Sequence, residues 1–282
     1  MEIKHKDTGE TLLNIDADTL KGADLREYEL MGADMTGLDL SVAQLQGSNL
    51  TDAVLTGATL QGTNLINTIL RGANLQDADL DGARFSDGVP GHAADLAGCN
   101  LQNARITSCD LRHVDLNKAN LSKATLSRSD LHNAHLVDAN LTEAVIGSAL
   151  LVDCDLRNAD LTGAYLCNVH MNGANLSGAI LDGAKLGGED CIPAILNLSN
   201  MSGASLVAAD LSGASLLSVD LTKADMSQAD LSCANLSGAV LRKANLVDTD
   251  FDDVELSTVT MTFANVSKAK NVHMPFEKKD LR

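Results

Sequence analysis

The 282-residue chain has no tryptophan, two tyrosines, four phenylalanines and three prolines. A globule of this length draws on bulky aromatic side chains for its core, and that material is missing. Apolar residues still make up 45% of the chain, so a core has to come from leucine and alanine. No run approaches the roughly 20 apolar residues that a membrane span requires. The start, Met1 to Asp7, lacks the basic-then-apolar order of a secretory leader. The six cysteines contain no CxxC pair, the cheapest sign of zinc or redox work. The expectation is a cytoplasmic, reduced protein with no cofactor, no metal and no membrane association.

Positive charge is scarce too. There are 21 Lys and Arg against 38 Asp and Glu, a net charge of −17. Residues 1–100 carry 16 acids and 6 bases (−10), 101–186 carry 9 and 7 (−2), and 187–282 carry 13 and 8 (−5). Such a field repels nucleic acid and anionic membrane and favours a protein partner with a basic surface. Direct nucleic-acid binding is not expected.

What the sequence has in abundance is a repeat. From Asp18 a unit of the form A-[D/N]-L-x-x recurs every five residues, as in Ala73-Asn74-Leu75-Gln76-Asp77 followed by Ala78-Asp79-Leu80-Asp81-Gly82. With the Leu as centre, units run from Leu20 to Phe85 and, after one phase shift, from Leu96 to Val266, which makes 14 plus 35, or 49. Leu occupies 38 centres, and Ala stands two residues earlier in 31. A period of five fits neither a helix at 3.6 nor a strand at 2.0. It requires a coil in which every fifth side chain points inward and the backbone turns between. Asp or Asn before the centre suits a turn.

These units resemble the pentapeptide-repeat family over about nine-tenths of the chain. The resemblance implies an all-β fold, a right-handed four-sided parallel β-helix (solenoid). Four pentapeptides then make one 20-residue coil, and the chain has about twelve coils. At the ~4.8 Å spacing of neighbouring strands they would stack into a rod about 60 Å long. Residues 1–17 read as an N-terminal β-hairpin cap, 18–266 as the repeat body and 267–282 as a C-terminal cap or tail. Tyr28 and Leu38 stand where small residues belong and are expected to plug the first coil. Val272, Met274, Pro275 and Phe276 are expected to cover the last, with Lys278 and Lys279 exposed. The alternative to such a cap, which the resemblance implies, is an uncapped end that pairs with its twin in a homodimer through the C-terminal coils.

Function in a repeat protein sits where the repeat breaks. Eleven residues separate Phe85 from Leu96, and removing Gly88-Val89-Pro90-Gly91-His92-Ala93 restores the register, so 88–93 reads as a surface loop. The alternative, a bulge with Gly91 at a centre, wastes a core position. The second break, 189–193, keeps the register and has two readings. As a degenerate repeat centred on Cys191 it would bury Glu189, an unpaired carboxylate that costs several kcal/mol. A five-residue excursion avoids that cost and is favoured.

Other patterns are weaker. Cys99, Cys109 and Cys154 replace core alanines at separations that are not multiples of twenty, so they read as small buried hydrophobes. His113 and His132 follow stacked centres, but lack a third metal ligand and read as surface histidines. No P-loop, GxGxxG, GxSxG or HExxH occurs, and a convex filled rod is a poor place for catalysis, so no enzyme is expected. An acidic ladder remains: Asp190, Asp210, Asp230 and Asp250 stand twenty apart, each just before a centre. If 189–193 is an excursion, Asp190 leaves it. The residues expected to meet a partner are therefore Gly88, Val89, Pro90, Gly91, His92, Glu189, Asp190, Asp210, Asp230 and Asp250. Two functions compete. The first is a non-enzymatic structural or protein-interaction scaffold. The second, implied by the resemblance, is a mimic of duplex DNA that occupies the DNA groove of DNA gyrase or another type II topoisomerase.

Overall fold

A computed structural model describes residues 1–273. The expected C-terminal cover at Met274, Pro275 and Phe276, and the expected exposure of Lys278 and Lys279, lie outside the described residues. The chain forms two compact units, Met1–Leu141 and Thr142–Arg282.

The repeat works because five residues dispose of five backbone N–H groups, each in a different way. Buried N–H groups must be paired. In the unit centred on Leu25, the Leu25 N–H donates to Gln44 O of the next coil at 2.8 Å. Glu27, two residues on, donates to Gln46 O at 3.0 Å. In the Ala slot the N–H closes a corner turn, as Ala23 does onto Leu20 O at 3.0 Å. Just before a centre the N–H donates to the previous coil, as Gln44 does to Ala23 O at 2.9 Å. The fifth N–H, just after the centre, has no backbone acceptor there, and the Asp or Asn side chain takes it. Arg26 N donates to Asp24 Oδ1 at 3.3 Å and Thr36 N to Asp34 Oδ1 at 3.1 Å. That is why the consensus wants Asp or Asn, and either serves.

The second residue of most corners sits near φ +60°, as the third position of a type II turn requires. Many corners accept this with residues other than glycine, including Val42, Leu198 and Phe263. Leu centres are buried throughout both units, and so are the Ala slots apart from Ala23 and Ala264 near the two ends; each buried Leu contributes roughly 1.5–3 kcal/mol. Each wall contributes only two or three extended residues per coil, so the walls are ladders of single parallel bridges, such as Asp24 to Gln44 to Asn64. Both units are right-handed four-sided β-helices.

In the first unit, β1 (Glu2–His5) and β2 (Thr11–Asn14) form an antiparallel hairpin, and β1 also pairs antiparallel with β3 (Ala33–Asp34) of the first coil, giving the order β2-β1-β3. Ile3 is fully buried and covers the coil end. The His5 ring occupies the space over Gly32, where a Cβ would come within 2.4 Å of it. Tyr28 is 43% exposed, which corrects the expectation that it plugs the coil. The hairpin already does so, leaving Tyr28 on the surface. Leu38 is half-buried.

Candidate protein-binding surface

Both breaks are insertions into a corner. In the first unit the parallel partners stand 20 apart up to Asn64 and Arg84, then 26 apart from Ile69 and Asp95 to Arg84 and Asp110, and 20 again from Asp95 and Asp115. The bond that closes an ordinary turn survives across the extra residues: Ala94 N donates to Phe85 O at 2.7 Å. Asn67 N donates to His92 O at 2.9 Å, as any second corner residue does to the first corner residue of the coil above. His92 therefore stands in the first corner position, although Ala93 after it lacks the left-handed φ of other second corner residues, and by that bond the six extra residues are 86–91, two earlier than the sequence placed them. Val89, Pro90, Gly91 and His92 are exposed, and Gly88 is half-buried beneath the Arg112 guanidinium. Asp87 organises the loop: its carboxylate accepts from Val89 N at 2.9 Å and lies 3.2 Å from His92 Nδ1. The Val89 N–H and the His92 ring together hold the Asp87 carboxyl below the usual carboxylate range.

In the second unit the offset rises to 25 from His170 and Ile195 to Lys185 and Asp210. Ala194 N donates to Leu186 O at 2.8 Å, and Asn168 N to Ile192 O at 2.6 Å. Ile192 therefore stands in the first corner position, with Pro193, which has no N–H to donate, in the second, and the excursion is the five residues 187–191. Glu189 and Asp190 are exposed. Asp190 is not on the acidic ladder, which corrects the four-rung reading: the register pairs Lys185 with Asp210, Asp210 with Asp230, Asp230 with Asp250, and Asp250 with Lys270. The ladder has three acidic rungs with a lysine at each end. Each rung also does consensus work, Asp210 accepting from Ser212 N, Asp230 from Ser232 N and Asp250 from Asp252 N at 2.8–3.1 Å.

Cysteine use departs from the reduced expectation. Cys191 is disulfide-bonded to Cys167 one coil below, with their Cα atoms 5.3 Å apart, within the range a disulfide spans. The twenty-residue stacking rule hides this pair, because the excursion brings Cys191 over Cys167 at a separation of 24. Cys99, Cys109 and Cys154 are buried. The Cys99 and Cys109 thiols donate to Leu70 O at 2.7 Å and Leu80 O at 3.1 Å. Burial pushes both thiols up to about 12. A raised folded-state value means their contribution is complete below the ordinary thiol range and is lost as pH climbs from about 9 towards 12. Cys99→Ala/Cys109→Ala should therefore lose less stability than the parent between pH 8 and about 10.5 in urea titrations. Equal losses would show that neither thiol resists ionisation.

His113 and His132 are neighbours through the backbone, His113 N donating to His132 O at 3.0 Å. The His132 ring pairs with its own coil's Asp130, Nδ1 to Oδ1 2.5 Å. Asp110 holds Arg112 in a two-pronged contact at 2.8 and 2.6 Å.

A family model described as "Pentapeptide repeats" matches the chain in eight copies, over residues 19–52, 48–87, 92–122, 109–147, 149–188, 199–238 and 234–270. Among solved structures the chain is similar to HetL, a pentapeptide repeat protein involved in heterocyst differentiation regulation from the cyanobacterium Nostoc sp. strain PCC 7120, at 32% identity over 84% of this chain and 88% of that one, with a TM-score of 0.33. It is also similar to full-length QnrB1, a plasmid-mediated fluoroquinolone resistance protein, at 19% identity over 81% of this chain and 92% of that one, with a TM-score of 0.33. No curated protein matches the chain.

Proposed function

The chain belongs to the pentapeptide-repeat family, and from that premise we propose that it is a non-enzymatic scaffold that holds a protein partner against its second unit. The observation that carries this reading is the excursion 187–191. It is tied down by the Cys167–Cys191 disulfide, by the preserved turn bond from Ala194 to Leu186 and by a turn of its own, Cys191 N to Gly188 O at 3.1 Å. So anchored, it presents Glu189 and Asp190 to solvent beside the corner residue Ile192, which is 66% exposed. A neutral insertion has no need of a covalent staple, whereas a binding loop loses less entropy on association when it is fixed in advance.

The test is affinity capture from the native lysate with the full chain and with Glu189→Gln/Asp190→Asn/Ile192→Ser. The variant should keep the parent's melting temperature and lose a protein that the parent captures. An identical set of captured proteins from both would overturn the reading.

The net charge of −17 favours a second reading, occupation of the DNA groove of a type II topoisomerase. Under it, Asp210→Asn/Asp230→Asn/Asp250→Asn should fold normally but act less on gyrase in a supercoiling assay, with the parent's effect falling as salt screens the contact. A parent protein without effect on supercoiling at micromolar concentration removes that target.

A further inference from the structure

Surface chemistry on one side of the second unit is divided along the coil axis. This side comprises the wall of Val145, Tyr165 and Lys185, the neighbouring wall of Leu150, His170 and Ile195, and the corner between them. Bridges stack Val145 on Tyr165 and Tyr165 on Lys185, and likewise Leu150 on His170 and His170 on Ile195. Val145 and Tyr165 are each 39% exposed. Gly147 at the corner lies beside the tyrosine, and a Cβ there would reach ordinary contact with its ring at 3.4 Å. Ile192 stands at the same corner, and Leu198 lies just beyond Ile195 at 71% exposure. Leu198 keeps a left-handed φ of 62°, which costs a leucine about 1–2 kcal/mol, with its side chain turned to water.

Above the excursion the same two walls change character. Asp210, Asp230 and Asp250 make the first wall acidic, while the second continues through the polar Ser215 and Asn235, and Asp252 and Asp253 stand on the last corner. Gly188 packs against Asp210, whose Oδ2 would lie 2.8 Å from a Cβ at that glycine, so the excursion marks the border between the two halves. Solenoid consensus does not require this segregation, because polar residues fill the outward slots of other coils. An apolar patch with a row of acids on one side, beyond the single lysine Lys185, has the make-up of a protein-interaction site.

We infer that this side binds a protein segment with an apolar half and a Lys/Arg-rich half, laid along the coil axis with its apolar half on Tyr165 and Ile192 and its basic half on Asp210, Asp230 and Asp250. The inference rests on the scaffold reading and names the chemistry of the partner. Five coil steps separate Val145 from Asp250, about 24 Å at ~4.8 Å each. A helical segment covers that length in about 16 residues at 1.5 Å per residue.

Two synthetic peptides of identical composition test it on the full-length oxidised protein. One has leucines and isoleucines in its first half and lysines and arginines in its second, and the other interleaves them. By fluorescence anisotropy the divided peptide should bind at least about tenfold more tightly. Tyr165→Ser/Ile192→Ser should abolish that preference and leave the salt dependence. Asp210→Asn/Asp230→Asn/Asp250→Asn should flatten the salt dependence instead. Equal binding of the two peptides, binding of neither, or both variants behaving as the parent would overturn the inference. So would self-association of the parent that Tyr165→Ser/Ile192→Ser abolishes, since a second copy would then be the occupant. The peptide comparison needs no cellular partner, so its failure leaves the capture experiment to be judged separately.

Discussion

Leu136→Asp should destabilise the first unit by about 5 kcal/mol or more, whereas Val137→Asp should change stability by less than about 1 kcal/mol. Leu136 is fully buried and Val137, one residue on, is half-buried on a corner. The aspartate would lose the leucine's apolar burial, roughly 1.5–3 kcal/mol. It would also place an unpaired carboxylate among stacked leucines, which costs several kcal/mol more or forces protonation. In a solenoid each coil is supported by its neighbours, so damage to one coil weakens the interfaces on both sides. Urea unfolding followed by far-ultraviolet circular dichroism is the measurement. Similar midpoints for the two variants would refute the inside–outside assignment on which every wall described above depends.

Gly187→Ala is expected to be the most damaging methyl group that can be added to the second unit, at about 3 kcal/mol. Its φ is not in the left-handed region, so backbone conformation is not the issue. A Cβ would lie 2.1 Å from the Ser212 carbonyl oxygen and 2.6 Å from the Ser212 nitrogen. Those atoms belong to the neighbouring coil's backbone and cannot swing away, and overpacking of this kind costs about 1–3 kcal/mol or more. Gly203→Ala is the control. Its φ is +68°, but nothing lies within 4 Å of the added carbon, so it should cost only the left-handed penalty, about 1 kcal/mol. The two melting temperatures should differ by several degrees. Equal shifts would mean that the excursion moves aside freely, which would also undermine its role as an anchored binding loop.

The family and the four-sided helix were legible because the repeat states the same thing in unit after unit, the alternation of inward Leu and Ala with outward residues. The insertions were legible as breaks in phase, but their boundaries were not. A phase shift says how many residues are extra, not which ones. The choice was made by two hydrogen bonds at each corner, which keep His92 and Ile192 in the first corner position and leave 86–91 and 187–191 as the extra residues. The same displacement took Asp190 off the ladder and Glu189 out to solvent.

The acidic ladder shows the division most clearly. Sequence alone identified Asp210, Asp230 and Asp250 as stacked, because twenty residues make one coil. It also allowed the plain structural role, and the structure supplies it: each carboxylate takes the one backbone N–H in its pentapeptide that no carbonyl reaches. Lys270, twenty residues after Asp250, follows from the same rule, whereas Lys185 became the other end only once the excursion had reset the register.

By itself, then, the sequence determined the period, the inward and outward positions, the handful of breaks and the acidic charge, since each is a one-dimensional pattern repeated along the chain. The tertiary structure alone decided what lies one coil above what. It joined Cys167 to Cys191, exposed Tyr28 by placing Ile3 in the coil end, and gathered Tyr165, Ile192 and Ile195 into an apolar half beside an acidic one. The physical reason is that lateral neighbours in a solenoid are set by the cumulative length of every corner between them. A five-residue insertion leaves the local pattern of each pentapeptide intact while changing every vertical contact across it.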